Sequence, residues 1–276
     1  MRCAYRHIIC YGLAGLIIGG LSGSLMAHPK ASARFNHLNE QITAHPNNQA
    51  LYLQRAWLFI MATHYDEAKT DLQHADEFGP SMHSRYYNGL IHNQQQQYLQ
   101  ALSYFNQALA VQANNTSVLN SRAQAYIGLN NHSAALSDYR KILQYTPAPQ
   151  PSHYLDTAKL VLSISDYQQA LSVIDEGILR LGLNPQLQQY AVGICVEYND
   201  NRQALTRHES LATIMHNNPT WYVEYAELLI NTMQWQAAKN ALDHAQHLVA
   251  QRKPNLWLSQ LNQTIQKQLL AVENYL

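Results

Sequence analysis

The chain has 276 residues, with 18 Lys and Arg balanced by 18 Asp and Glu, and only 13% of its residues are charged. Zero formal charge argues against nucleic acid or anionic lipid as the main partner, because both select basic surfaces. With 11 Gly, 9 Pro and no β-rich stretch, the composition excludes low-complexity and sheet-dominated classes and leaves an all-α reading.

Arg2 and Arg6 precede an apolar stretch from Ile8 to Met26, and Ala27 offers a small residue for cleavage before His28. This pattern predicts an export signal over 1–27. An uncleaved membrane anchor is the competing reading, since roughly 20 apolar residues can span a bilayer. Leu25 occupies the place where a small residue is preferred, and Cys10 lies inside the apolar run without the approach of a lipobox. Removing the leader leaves a net charge of about −2, because both arginines depart with it. Cys3 and Cys10 leave too, so Cys195 stays alone and forms no internal disulfide.

Residues 28–48 are expected to hold a capping helix, with Phe35, Leu38 and Ile42 on one face and Pro46 after it. Beyond it, Ala68, Ala101, Ala135, Ala170, Ala204 and Ala238 recur every 33–35 residues across 49–250. With each alanine at position twenty, the units begin at Gln49, Met82, Thr116, Pro151, Pro185 and Pro219. Position eight is then small in nearly every unit: Ala56, Gly89, Ala123, Ala158, Val192 and Ala226. Small residues at eight and twenty let two antiparallel helices approach to about 8–10 Å. Larger residues at twenty-four, such as Leu72, Phe105 and Tyr139, fill the space beside that crossing.

The in-phase pattern resembles the tetratricopeptide repeat family. It is clearest in Tyr65-Asp66-Glu67-Ala68 with Pro80, and in Tyr126 with Ala135, Tyr139 and Pro147. The resemblance implies an α-solenoid of about six helical hairpins with N- and C-terminal capping helices. Unit five departs most, having Gln188, Val192, Asn201 and His208 at motif positions, so a looser hairpin with a bend is expected there. After Pro254, a stripe of Leu258, Leu261, Ile265, Leu269 and Val272 predicts a final capping helix over 254–276. The same amphipathic stripe would also suit a docking helix for a partner.

No phosphate-cradling glycine loop, metalloprotease helix, nucleophile elbow or paired-cysteine site occurs, so neither an enzyme nor a cofactor is expected. His244 and His247 lie one turn apart beside Asp243, but no third ligand is evident, so no metal is expected. Cys195 reads as a small core residue.

The family resemblance implies a protein or peptide partner, held by the inner face of the first helices at positions two, five, nine, twelve and thirteen. The candidate groove comprises Leu53, Trp57, Ile60, Tyr86, Leu90, Asn120, Gln124, Lys159, Gln189, Glu224 and Glu227. It would run from an aromatic end through amides to an acidic end. The basic clamp that grips chaperone tails in this family is absent, because Leu53, Trp57 and Met61 stand in its place. The sequence is therefore read as an exported, periplasmic adaptor that helps assemble an envelope complex. Alternatives are an accessory subunit of a periplasmic enzyme, a factor like the pilotins of type IV pilus secretins, and a self-associating structural protein.

Overall fold

The computed structural model describes residues 29–276, all of whose regular elements are helices. The leader, with Arg2, Arg6, Cys3, Cys10 and Ala27, lies outside the described residues. No described helix is long and apolar enough to cross a membrane. The chain divides into two compact units, one ending at Pro149 and the other spanning Gln150–Leu276.

In the first unit, α1 (Pro29–Ala44) precedes three hairpins: α2 (Gln49–Met61) with α3 (Tyr65–Asp76), α4 (Met82–Gln94) with α5 (Tyr98–Val111), and α6 (Thr116–Gly128) with α7 (His132–Tyr145). The second unit opens with α8 (Pro151–Ile164) and α9 (Tyr167–Leu181), followed by α10 (Pro185–Glu197) and α11 (Asn201–Glu209). The short α12 (Ala212–Met215), the hairpin of α13 (Pro219–Asn231) and α14 (Trp235–Ala250), and α15 (Leu256–Glu273) complete it. Each first helix begins at position one of the repeat and each second helix at position seventeen.

Local chemistry explains that regularity. Side chains of Asn48, Ser81, Asn115, Asn184 and Asn218 accept hydrogen bonds from the first-turn amides of their helices. Such a cap contributes about 1 kcal/mol. Pro151, Pro185 and Pro219 stand where the missing N–H would be unpaired anyway. In five hairpins the residue at position fifteen is left-handed: Thr63, Gln96, Asn130, Asn199 and Met233, with φ of 57–62°. This lets the next amide reach back to the carbonyl five residues earlier, at 2.8 Å in all five turns, as from His64 to Phe59. The fourth hairpin turns differently: Ser165 is extended and Asp166 caps α9.

The alanines at position twenty are all fully buried, as are the alanines at position eight. Where glycine replaces alanine at position eight, the space has been taken by an aromatic ring. A Cβ on Gly89 would lie 2.5 Å from the buried Phe105 ring.

A second, polar pattern joins successive helices of the first unit. Arg55 donates Nε and Nη2 to Asp71 at 2.8 and 2.6 Å, and Nη1 to Asn39 at 2.7 Å. Arg122 repeats the arrangement with Asp138, at 2.7 and 2.6 Å, and with Asn106 at 2.7 Å. Asn106 belongs to α5, the second helix before α6, whereas Asn39 belongs to α1. Toward α2, then, α1 takes the bonding role that a second helix has elsewhere, which is how it caps the first hairpin. At the other end, α15 buries Leu258, Ile265, Leu269 and Val272.

Two substitutions test the packing rules. Met233 is 78% exposed and left-handed, so Met233→Gly should raise stability by about 0.5–1 kcal/mol in urea unfolding. Gly89→Ala should cost about 1–3 kcal/mol, because the new Cβ would lie 2.5 Å from the fully buried Phe105 ring, which must shift.

Candidate functional site

The first-helix face of the first unit gathers most of the aromatic candidates. Trp57 and Leu53 are half-buried on α2, one turn apart. The Trp57 ring lies 5.4 Å from Tyr87, which in turn lies 5.8 Å from Tyr86. Tyr86 is anchored, its hydroxyl 3.3 Å from Ser121 Oγ and its ring 6.1 Å from Phe105. Leu90 and Asn120 are half-buried, and Gln124 is exposed. Ile60 must be removed from the candidate surface. It is 7% exposed and packs with Ala56, Ala68, Leu72 and Ile91 in the core, because position twelve faces the neighbouring hairpin.

Tyr87 was missed by sequence reasoning. It sits at position six, just outside the positions taken to define the face, yet it links Trp57 to Tyr86. An unbroken Tyr86-Tyr87 pair was the available signal, since adjacent aromatics on a helix cannot both turn inward.

The second unit carries the charged candidates. Lys159 is exposed and pairs loosely with Asp156 at 3.7 Å, and Gln189 is exposed. Glu224 is partly buried, and that burial, with the nearby Glu227 charge, pushes its carboxyl up to about 7. Burial also raises Glu227. Tyr190, pushed up to about 12 by burial, feels the charges of Glu197 and Asp156. Glu197, Glu224 and Glu227 thus give this face acidic groups, of which Glu224 is only partly ionised near neutral pH.

Unit five contains a break and a filled core. Its second helix stops at Glu209 and resumes as α12. Gln188 Nε2 donates to the Arg207 carbonyl at 3.2 Å and to Ser210 Oγ at 2.7 Å, satisfying groups that the interrupted helix leaves free. The break falls in the unit whose motif positions depart most, while Gln188, Val192 and His208 at those positions are all buried. His208 stacks on Trp221 at 4.8 Å and donates Nε2–H to the Trp221 carbonyl at 3.0 Å. An arginine–carboxylate pair persists here in altered form, with Arg207 of α11 bonded to Asp175 of α9 at 2.7 and 2.8 Å.

Cys195 is buried, with Sγ 3.2 Å from Gln203 Oε1, and burial pushes its thiol up to about 11. A thiol held so far from ionisation is a poor nucleophile. The His244 ring lies 4.3 Å from that of Tyr222 at a tilt of 50°, His247 bonds Gln251, and Asp243 is engaged by Lys239 at 2.7 Å. Among the described residues no group of three or more His, Cys, Asp or Glu is arranged to hold a metal ion.

The profile described as tetratricopeptide repeat matches residues 116–149, which comprise α6, α7 and the segment after them. No curated protein matches the chain. Among solved structures, the chain is similar to the C-terminal part of a tetratricopeptide-repeat-containing protein from Cytophaga hutchinsonii. That likeness has a TM-score of 0.63 and 14% identity over 83% of this chain and 93% of that one. A tetratricopeptide repeat protein from Parabacteroides merdae gives 0.50 and 16% over 85% and 92%. Yeast Tom70 gives 0.51 and 21% over 79% of this chain and 48% of its own. Identities this low speak of fold alone. The fold is an α-solenoid of tetratricopeptide hairpins, a class of scaffold that mediates protein–protein interactions and is typically non-catalytic.

His208 makes stability depend on pH. Burial lowers its pKa from 6.5 to about 4, so the unfolded chain binds the proton more readily between those values. The stabilisation is complete above about pH 6.5 and is lost as pH falls toward 4, on the order of 3 kcal/mol in total. Urea midpoints measured across that range should fall, and the fall should be shallower in His208→Phe.

Proposed function

We propose that this protein is an exported, periplasmic adaptor that binds a protein or peptide on the first-helix faces of its repeats and helps assemble an envelope complex. Export is supported by the Arg2–Arg6 start and the apolar run that follows, and an uncleaved leader would instead hold the chain at the inner membrane. The observation that carries the binding reading is Trp57, half-exposed against Tyr87 on a rigid helix rather than folded into the core. Rigid aromatics supply contact area at small entropic cost, which is why they dominate binding energies at protein interfaces.

Acidic residues on the second unit add selectivity. Glu197, Glu224 and Glu227 favour a partner whose matching region is neutral or basic, and they disfavour acidic ones.

Affinity capture from an envelope extract of the native cells tests the reading. Trp57→Ala should lower recovery of the partner by about tenfold or more while helical circular dichroism and the urea midpoint stay within about 1 kcal/mol of wild type. Undiminished capture by the folded variant would refute the face assignment.

A further inference from the structure

We propose that His208 is an acid-sensitive latch between units five and six: protonating its imidazole releases α11 from α13, so the second unit opens there while the first stays folded. The side chain bridges two successive hairpins. It is 1% exposed, and its ring lies 4.8 Å from Trp221 and 5.9 Å from Tyr225, each at an interplanar angle of 10°. Its Nε2–H donates to the Trp221 carbonyl at 3.0 Å. A second bond crosses the same junction, from the Tyr225 hydroxyl to Glu209 Oε1 at 2.9 Å.

Three features make this junction the place that yields. Helix α11 ends at Glu209, one residue after His208, so no further turn of that helix holds α13. Trp221 Nε1 and Gln188 Oε1 are buried without a hydrogen-bond partner among the described residues, so the packing around His208 already carries unpaired polar atoms. In a repeat array each interface contributes its own local stability, and weakening one opens the chain there first.

The charges around the ring leave the imidazole as the trigger. On α11, Arg207 is held by Asp175 of α9 and stays cationic, while Glu209 accepts from Tyr225. Cys195 on α10 and the Tyr225 hydroxyl on α13, pushed up to about 11 and about 12, stay neutral in acid. Glu224 and Glu227 on α13 are both raised by burial. A carboxyl raised in the folded chain adds stability as pH falls, so these two oppose opening down to about pH 4.5. An imidazole lowered to about 4 does the reverse, and its contribution is lost as pH falls from 6.5 through 4. Release would part Glu224 and Glu227 on α13 from Glu197 on α10, so acid would dismantle the acidic end of the second unit's face.

Hydrogen–deuterium exchange of the full chain at pH 7 and pH 4, corrected for intrinsic rates, reads the opening. Amides in 201–231 should lose protection by about a hundredfold, and those in 49–145 by less than about tenfold. His208→Phe keeps the stacked ring without a titrating proton, and His208→Gln keeps an N–H donor; each should hold the loss in 201–231 below about tenfold. Glu209→Gln removes the other titrating group at the junction and should leave the hundredfold loss in place. Unchanged protection in 201–231, equal loss in both segments, or loss that persists in a folded His208 variant would overturn the proposal. So would its disappearance in Glu209→Gln, which would make Glu209 the trigger.

Discussion

Everything in this protein depends on how closely two antiparallel helices can approach at positions eight and twenty of each repeat. Fully buried alanines on both sides bring the backbones together, and Phe105 takes the room that a side chain on Gly89 would need. With that crossing fixed, residues at position twenty-four fall beside it and fill the remaining volume. The crossing also decides which face of each first helix is left for solvent. Core and exposed face are thus two consequences of one contact.

A polar ladder runs alongside this apolar contact. Arg55 and Arg122 each join three helices through one guanidinium, bidentate to an aspartate and single to an asparagine. Asp71 and Asp138 are almost fully buried, so each needs its arginine, and removing the arginine would strand a charge. The geometry fixes helix order as well as distance. It is also how α1, which has no hairpin partner among the described residues, packs on the first hairpin. In the second unit the arginine has moved to a second helix and bonds backward to Asp175, with Ala191 at the vacated position. The interaction is kept while its supporting residues change.

Unit five shows what that change does to the local structure. Gln188 and His208 are polar residues at packing positions, and each donates to a main-chain carbonyl: Gln188 Nε2 to Arg207 and His208 Nε2 to Trp221. The helix is interrupted where those bonds are made. Burying a polar group without a partner is costly, and these two donor bonds lie beside the break. The faces of the two units differ accordingly, one neutral and aromatic, the other carrying carboxylates raised by burial.

The sequence by itself determined the repeat. Six alanines in phase marked the start of every first and second helix, because a stacked hairpin allows only small residues at its closest approach. The Asn and Ser caps and the N1 prolines found in the structure agree with that phase, since capping is a local interaction. Burial across hairpins was not. Ile60 looked available on its own helix and was covered by the next one, while Tyr87 looked peripheral and became the link between two aromatic neighbours. The spacing of 16 residues between Asn39, Arg55 and Asp71 was present in the chain, but its meaning required three helices side by side. Periodicity records what each helix does alone. Which side chains meet, and which stay exposed, was decided only when neighbouring helices packed.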